Sequence, residues 1–148
     1  MNTDQHKINQ PKKFLYKELG YQLRGCFFDI RKNYGPGQKE SIYVNLVAEW
    51  LKEHKIPFNK EKPIKIYSIN SGKIIGTYKP DFLVDNKILI EIKSARVTTR
   101  QDEKQLYFYL RNSPYEVGYL VNFSSPRLYI KRIIYTNERK PFLQKISV

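Results

Sequence analysis

The sequence predicts an α/β domain, and three observations carry that expectation. Phe82-Leu83-Val84 and the alternating run Ile88 to Lys93 read as two strands joined by the turn residues Asp85-Asn86-Lys87. Upstream, the stretches Lys12 to Asn33 and Gly37 to His54 place apolar residues at helical spacing instead. Downstream, a third helical stretch, Gln101 to Asn112, separates that hairpin from two further strand-like runs.

In chain order, residues 1–11 are expected to form a polar, flexible N-terminal tail, and 12–148 a single domain. The first helix has Leu15, Leu19, Leu23, Cys26, Phe27 and Ile30 on its inner face, with Gly20 and Gly25 weakening its continuity. Gly35-Pro36-Gly37 breaks the chain before the second helix, where Glu40, Tyr43, Val47, Trp50 and Leu51 share one stripe. Ile64 to Ile69 and Lys73 to Tyr78 then make a hairpin around Asn70-Ser71-Gly72. Its second strand can continue through Pro80 into the Asp81 strand, with Gly76 marking a bulge or bend. Ser94 to Arg100 is a loop, and Val117 to Phe123 and Leu128 to Tyr135 complete the sheet.

Pro80 to Lys93 sets charged groups inside strands that should be buried. Leu89, Glu91 and Lys93 share one strand face, and Ile88, Ile90 and Ile92 the other. A three-residue loop keeps Asp81 on the Glu91 face, whereas a two-residue loop puts it on the opposite one. The longer loop is favoured, because Asn86 tolerates the left-handed conformation it needs. Facing carboxylates would lie about 5 Å apart and repel each other. A divalent cation between them removes the conflict, and Mg²⁺, held by one or two carboxylates plus waters and phosphate, suits the set. Lys93, one pleat on, would add an ammonium to a hydrolytic arrangement. The same residues also fit a solvated surface hairpin with a weak Glu91–Lys93 ion pair. Glu40, taken alone, fits ordinary stabilisation of the positive end of a helix dipole.

In order and spacing, these segments resemble the GxxExxY proteins of the PD-(D/E)XK nuclease superfamily. Gly37, Glu40 and Tyr43 spell the GxxExxY motif, Pro80-Asp81 is similar to the first acidic element, and Glu91-Ile92-Lys93 to the E-x-K. Gln105-Leu106-Tyr107-Phe108-Tyr109 resembles the Q-x-x-x-Y element of RecB-like nucleases, followed by a strand at Val117 to Phe123. The resemblance spans about Leu19 to Ile134. It implies a restriction-endonuclease-like core, a mixed β-sheet flanked by α-helices. It also implies that Asp81 and Glu91 bind Mg²⁺, with Mn²⁺ as a substitute, that Glu40 is an accessory metal or water ligand, and that Lys93 assists the attacking water. Gln105 would orient the site from the helix behind it, and Tyr109, one turn on, would pack in the core or touch substrate.

Composition sets the remaining bounds. With 148 residues, 41% hydrophobic, including 12 Tyr and 8 Phe, the chain can bury roughly two thirds of its unfolded surface in one core. Its one cysteine, Cys26, cannot form an intrachain disulfide and lies in an apolar run, which favours a buried structural thiol. His6 and His54 offer no histidine-based metal site or triad. No apolar run reaches membrane-spanning length and the start lacks a signal-peptide core, so a cytoplasmic protein is expected.

Lysine and arginine number 27 against 14 acids, a net charge of +13 that favours polyanions. Arg127 to Val148 carries six basic residues against Glu138, making Lys131 and Arg132 candidate phosphate contacts, with Arg96 and Arg100 in the loop after Lys93. A lysine-rich solvated surface accounts for the same charge. The reading reached is a Mg²⁺-dependent nuclease acting on phosphodiester bonds, DNA foremost. The rivals are a non-catalytic nucleic-acid-binding module that kept the fold and a lysine-rich protein-interaction domain. Cutting both strands of a duplex would favour a homodimer with two sites.

Overall fold

The computed structural model describes residues 14–146. The expected flexible tail over 1–11 and a helix start at Lys12 lie outside the described residues.

Helix α1 (Lys17–Tyr34) buries Leu23, Cys26, Phe27 and Ile30, the stripe that helical spacing requires. Leu15, expected on this helix, precedes it and packs half-buried against the same core. α2 (Glu40–Glu53) buries Tyr43, Val47, Ala48 and Leu51 and stops at His54. Seven strands follow or interleave: β1 (Phe58–Lys60), β2 (Ile64–Tyr67), β3 (Ile74–Tyr78), β4 (Phe82–Val84), β5 (Ile88–Lys93), β6 (Val117–Asn122) and β7 (Tyr129–Ile134). α3 (Arg100–Arg111) lies between β5 and β6, capped by a reciprocal Thr99–Asp102 box.

The main sheet has the order β1-β4-β5-β6-β7. β5 and β6 are parallel, and every other neighbouring pair is antiparallel. The parallel step is bridged by α3, as such a crossover demands. Phe82, Val84, Ile88, Ile90, Ile92, Val117, Tyr119 and Val121 face α1 and α2 in one core. Leu83, Leu89 and Leu120 face Leu106 and Leu110 of α3 in the other. α3 can settle there because Gly118 has no side chain: a Cβ would sit 3.2 Å from both Leu106 methyls. This is the mixed sheet flanked by helices that the sequence predicts.

Two details differ from the sequence-based expectation. β3 does not run on into the Asp81 strand; it pairs only with β2, as a separate two-stranded sheet. Its register passes from Ile66↔Gly76 to Tyr67↔Ile74, so Ile75 is the bulged residue, next to the expected Gly76. β1 carried no readable signal, since Phe-Asn-Lys is too short to show a period; it adds an edge by pairing with β4.

Candidate active site

β4 and β5 pair as Phe82↔Ile90, Leu83↔Leu89 and Val84↔Ile88, which leaves the three-residue loop Asp85-Asn86-Lys87. Asp85 and Asn86 both adopt left-handed conformations, φ 51° and 53°. One residue beyond the paired strand, Asp81 therefore stands opposite Glu91. The two carboxylates are tied crosswise to each other's strand. Glu91 Oε1 accepts the Asp81 N–H at 3.0 Å, and Asp81 Oδ2 accepts the Ile92 N–H at 2.7 Å. Each group thus has one oxygen fixed by backbone while the other faces no backbone donor.

The electrostatics of the pair are only partly relieved. Burial, then the Asp81 carboxylate, push the Glu91 carboxyl up to about 7. Asp81 is raised as well, by burial first; its Ile92 hydrogen bond and Lys93 pull it down, while Glu40 and Glu61 push it up. The Tyr78 phenol stands beside Glu91 with no partner at hydrogen-bonding geometry, and burial with the adjacent carboxylate raises it far above its usual range. Two half-buried acids, each with one oxygen not held by backbone, are a donor set that a hard divalent cation fits, since its charge removes the cost of ionising both.

Glu40 reaches this region from α2. It is exposed at the helix start and shares with Asp81, Lys60 and Glu61 the wall of a cavity of about 440 Å³. Among the described residues, no three His, Cys, Asp or Glu side chains form a group that could hold a metal ion; Glu40 is close enough to Asp81 for its charge to raise the Asp81 pKa.

The local sequence explains why α2 begins here. Gly37 has φ 92°, where a side chain would be strained, and its N–H reaches Ser124 Oγ at 2.9 Å. Tyr43 Oη donates to Gly35 O at 2.6 Å and accepts the Gln38 N–H at 3.1 Å, while its ring stacks on Phe123 at 4.6 Å. Ser94 Oγ, one residue past Lys93, donates to Gln38 O and lies 2.6 Å from Ser124 Oγ. The outer residues of the Gly37-Glu40-Tyr43 motif thus latch the helix start to the ends of β5 and β6.

Lys93 follows Glu91 on the same strand face and pairs with Asn122 in the β5–β6 register. Asn122, not singled out from sequence, is fully buried and organises the following loop. Its Oδ1 accepts the Ala95 and Ser124 N–H groups at 3.1 Å each, and Nδ2 donates to Thr98 Oγ1 at 2.9 Å. A lone amide at the end of an otherwise apolar strand was the signal that could have marked it.

Gln105 lies exposed on α3, and its Nε2 donates to Tyr109 Oη at 3.2 Å rather than to either carboxylate. Tyr109 is half-buried and stacks face to face on Tyr78 at 3.6 Å, so it reaches Glu91 only through that ring. Tyr78 was also not singled out from sequence; its strand position offered no distinguishing sign.

The candidate phosphate contacts separate into two groups. Arg96 is exposed in the loop after Lys93, and Arg100 is the exposed first residue of α3. Lys131 and Arg132 point to opposite faces of β7. Lys131 is exposed, whereas Arg132 Nη2 donates to Leu15 O at 3.1 Å and its guanidinium lies 4.1 Å from the Phe14 ring centre. Nearby basic residues are likewise engaged. Lys140 is buried, donates to Ser113 O, Tyr115 O and Asn137 Oδ1, and burial lowers it to about 8; Lys145 holds Asn70 O at 2.8 Å. Much of the basic charge at this end therefore braces the fold.

Residues 17–133 match the family profile described as the PD-(D/E)XK nuclease superfamily. A search of curated proteins finds no match. Among the described residues no helix is long and apolar enough to cross a membrane.

Proposed function

Because the chain belongs to the PD-(D/E)XK nuclease superfamily and shares its restriction-endonuclease-like fold, we propose that it is a metal-dependent nuclease of the GxxExxY type, hydrolysing phosphodiester bonds in DNA. The observation that carries this reading is the crosswise pair: two half-buried acids held opposite each other, both with raised pKa and each with one oxygen left over. Asp81 and Glu91 would hold Mg²⁺, or Mn²⁺ in its place. When bound, the cation supplies Lewis acidity and neutralises charge at the phosphate. Lys93 places an ammonium next to that point, where it can orient an attacking water and offset the charge that builds on the phosphoryl oxygens. Glu40, across the cavity from Asp81, would contact water in the cation's outer sphere. Gln105 acts at a distance, steadying Tyr109 and through it Tyr78 beside Glu91. Arg96 and Arg100 would meet phosphates at the mouth, with exposed Lys131 further off.

The test is incubation with labelled single-stranded, duplex and branched DNA and with RNA, with Mg²⁺ or Mn²⁺ and with chelator. Cleavage that requires the metal and is lost in Asp81→Ala supports the reading; absence of cleavage on every substrate overturns it. One observation favours a second reading, a nucleic-acid-binding module that kept the fold: no third carboxylate converges on the pair among the described residues. Metal-independent, salt-sensitive binding without cleavage would select it.

A further inference from the structure

The outer face of the β2–β3 hairpin, we propose, is a track that holds the phosphodiester backbone of the nucleic-acid strand leading to Asp81 and Glu91. It rests on the nuclease reading above and adds where the substrate lies. The hairpin's inner residues Ile64, Ile66 and Tyr78 pack on the second core. Lys65 pairs with Thr77 on the outer face, and Lys79 continues the same alternation. From Lys62 to Lys79 the chain has four lysines and no acid. All four are exposed, and among the described residues none of their ammonium groups has a hydrogen-bond or ion-pair partner.

That contrasts with Lys87, Lys140 and Lys145, whose charges are spent on an aspartate or on backbone carbonyls. Four uncompensated cations on one ribbon are the complement of a polyanion, which releases its own counterions on binding. Ile74 and Ile75 lie among them, 55% and 59% exposed. Apolar side chains flanked by lysine suit the sugars and base edges of a nucleic acid.

The track is rigid and aimed. Tyr67 N–H donates to Asn112 O at 2.8 Å, Asn112 Nδ2 returns a bond to Tyr67 O at 3.0 Å, and Lys145 pins Asn70 at the turn. At about 3.3 Å per residue, the strand from Lys79 to Lys73 covers roughly 20 Å, about six phosphates of one strand at a 3.4 Å rise. Lys79 lies two residues from Asp81, so the row begins at the candidate active site and leads away from it.

The experiment compares Lys65→Glu/Lys73→Glu with the charge-matched control Lys32→Glu/Lys52→Glu, which reverses exposed lysines on α1 and α2. Binding of labelled duplex DNA, single-stranded DNA and RNA is followed by anisotropy against salt in chelator, with melting temperatures to confirm folding. The hairpin pair should weaken binding about tenfold or more and reduce the salt slope by about two, and with metal should raise KM while sparing kcat. The control should change binding less than twofold. Equal effects of the two pairs, or unchanged binding in the hairpin pair, overturn the track. A parent protein that binds but never cleaves with metal overturns the nuclease reading alone, since the binding comparison still decides the track.

Discussion

Asp81 and Glu91 each grip the other's strand: Glu91 accepts the Asp81 amide at 3.0 Å, and Asp81 accepts the amide of Ile92, the residue after Glu91, at 2.7 Å. Two acids are thereby fixed opposite each other where their charges repel, and the fold bears that cost in the metal-free state.

The cost has a sign in pH. Glu91 binds its proton more tightly folded than unfolded between about pH 4.5 and about 7, so metal-free stability should fall as pH rises through that window. The loss should be on the order of 3 kcal/mol. Urea unfolding in chelator measures it. Glu91→Gln should flatten the profile, and added Mg²⁺ at pH 8 should restore stability to the parent but not to the variant.

Asp81→Ala and Lys93→Ala should both abolish cleavage while leaving nucleic-acid affinity within a few-fold, because the basic surface supplies most of the binding. They should diverge in calorimetric metal titration. Losing Asp81 weakens metal binding, whereas losing Lys93 removes a positive neighbour and preserves or improves it. Equal metal affinity in the two variants would contradict the roles assigned to them.

Tyr43→Phe removes a hydroxyl bonded to Gly35 O and to the Gln38 N–H. It should cost about 1–2 kcal/mol in urea unfolding. By loosening the latch that places Glu40 and the Ser94 loop, it should also lower kcat.

Arg132→Ala should destabilise the fold by about 1–3 kcal/mol, through the lost Leu15 carbonyl bond and Phe14 contact. Lys131→Glu should leave stability unchanged within about 0.5 kcal/mol and weaken nucleic-acid affinity. Parallel denaturation and anisotropy measurements separate the two.

The elements with strong periodicity were legible in the sequence. Ile88 to Lys93 alternates, the apolar stripes of α1 and α2 recur at helical spacing, and the turn residues at Asp85 and Asn86 set the loop length that puts Asp81 opposite Glu91. What escaped depends on tertiary contact. Arg132 and Lys140 look like free surface charge in one dimension, and only packing shows them bonded to carbonyls. Tyr78 is an unremarkable letter until the fold brings it beside Glu91, and Asn122, a lone amide ending an apolar strand, shows its role only once the fold sets it under the loop after Lys93. β1 is too short to carry a period, and the separation of β3 from the Asp81 strand is decided by which sheet each joins.

The central claim is that Asp81 and Glu91 together hold the catalytic cation, and crystals grown with Mn²⁺ test it most directly. An anomalous-difference map should show a peak within roughly 2.0–2.6 Å of one oxygen from each carboxylate, lost in Asp81→Ala crystals. Mn²⁺ bound elsewhere in a protein that cleaves with Mn²⁺, with nothing between these two side chains, would contradict the account.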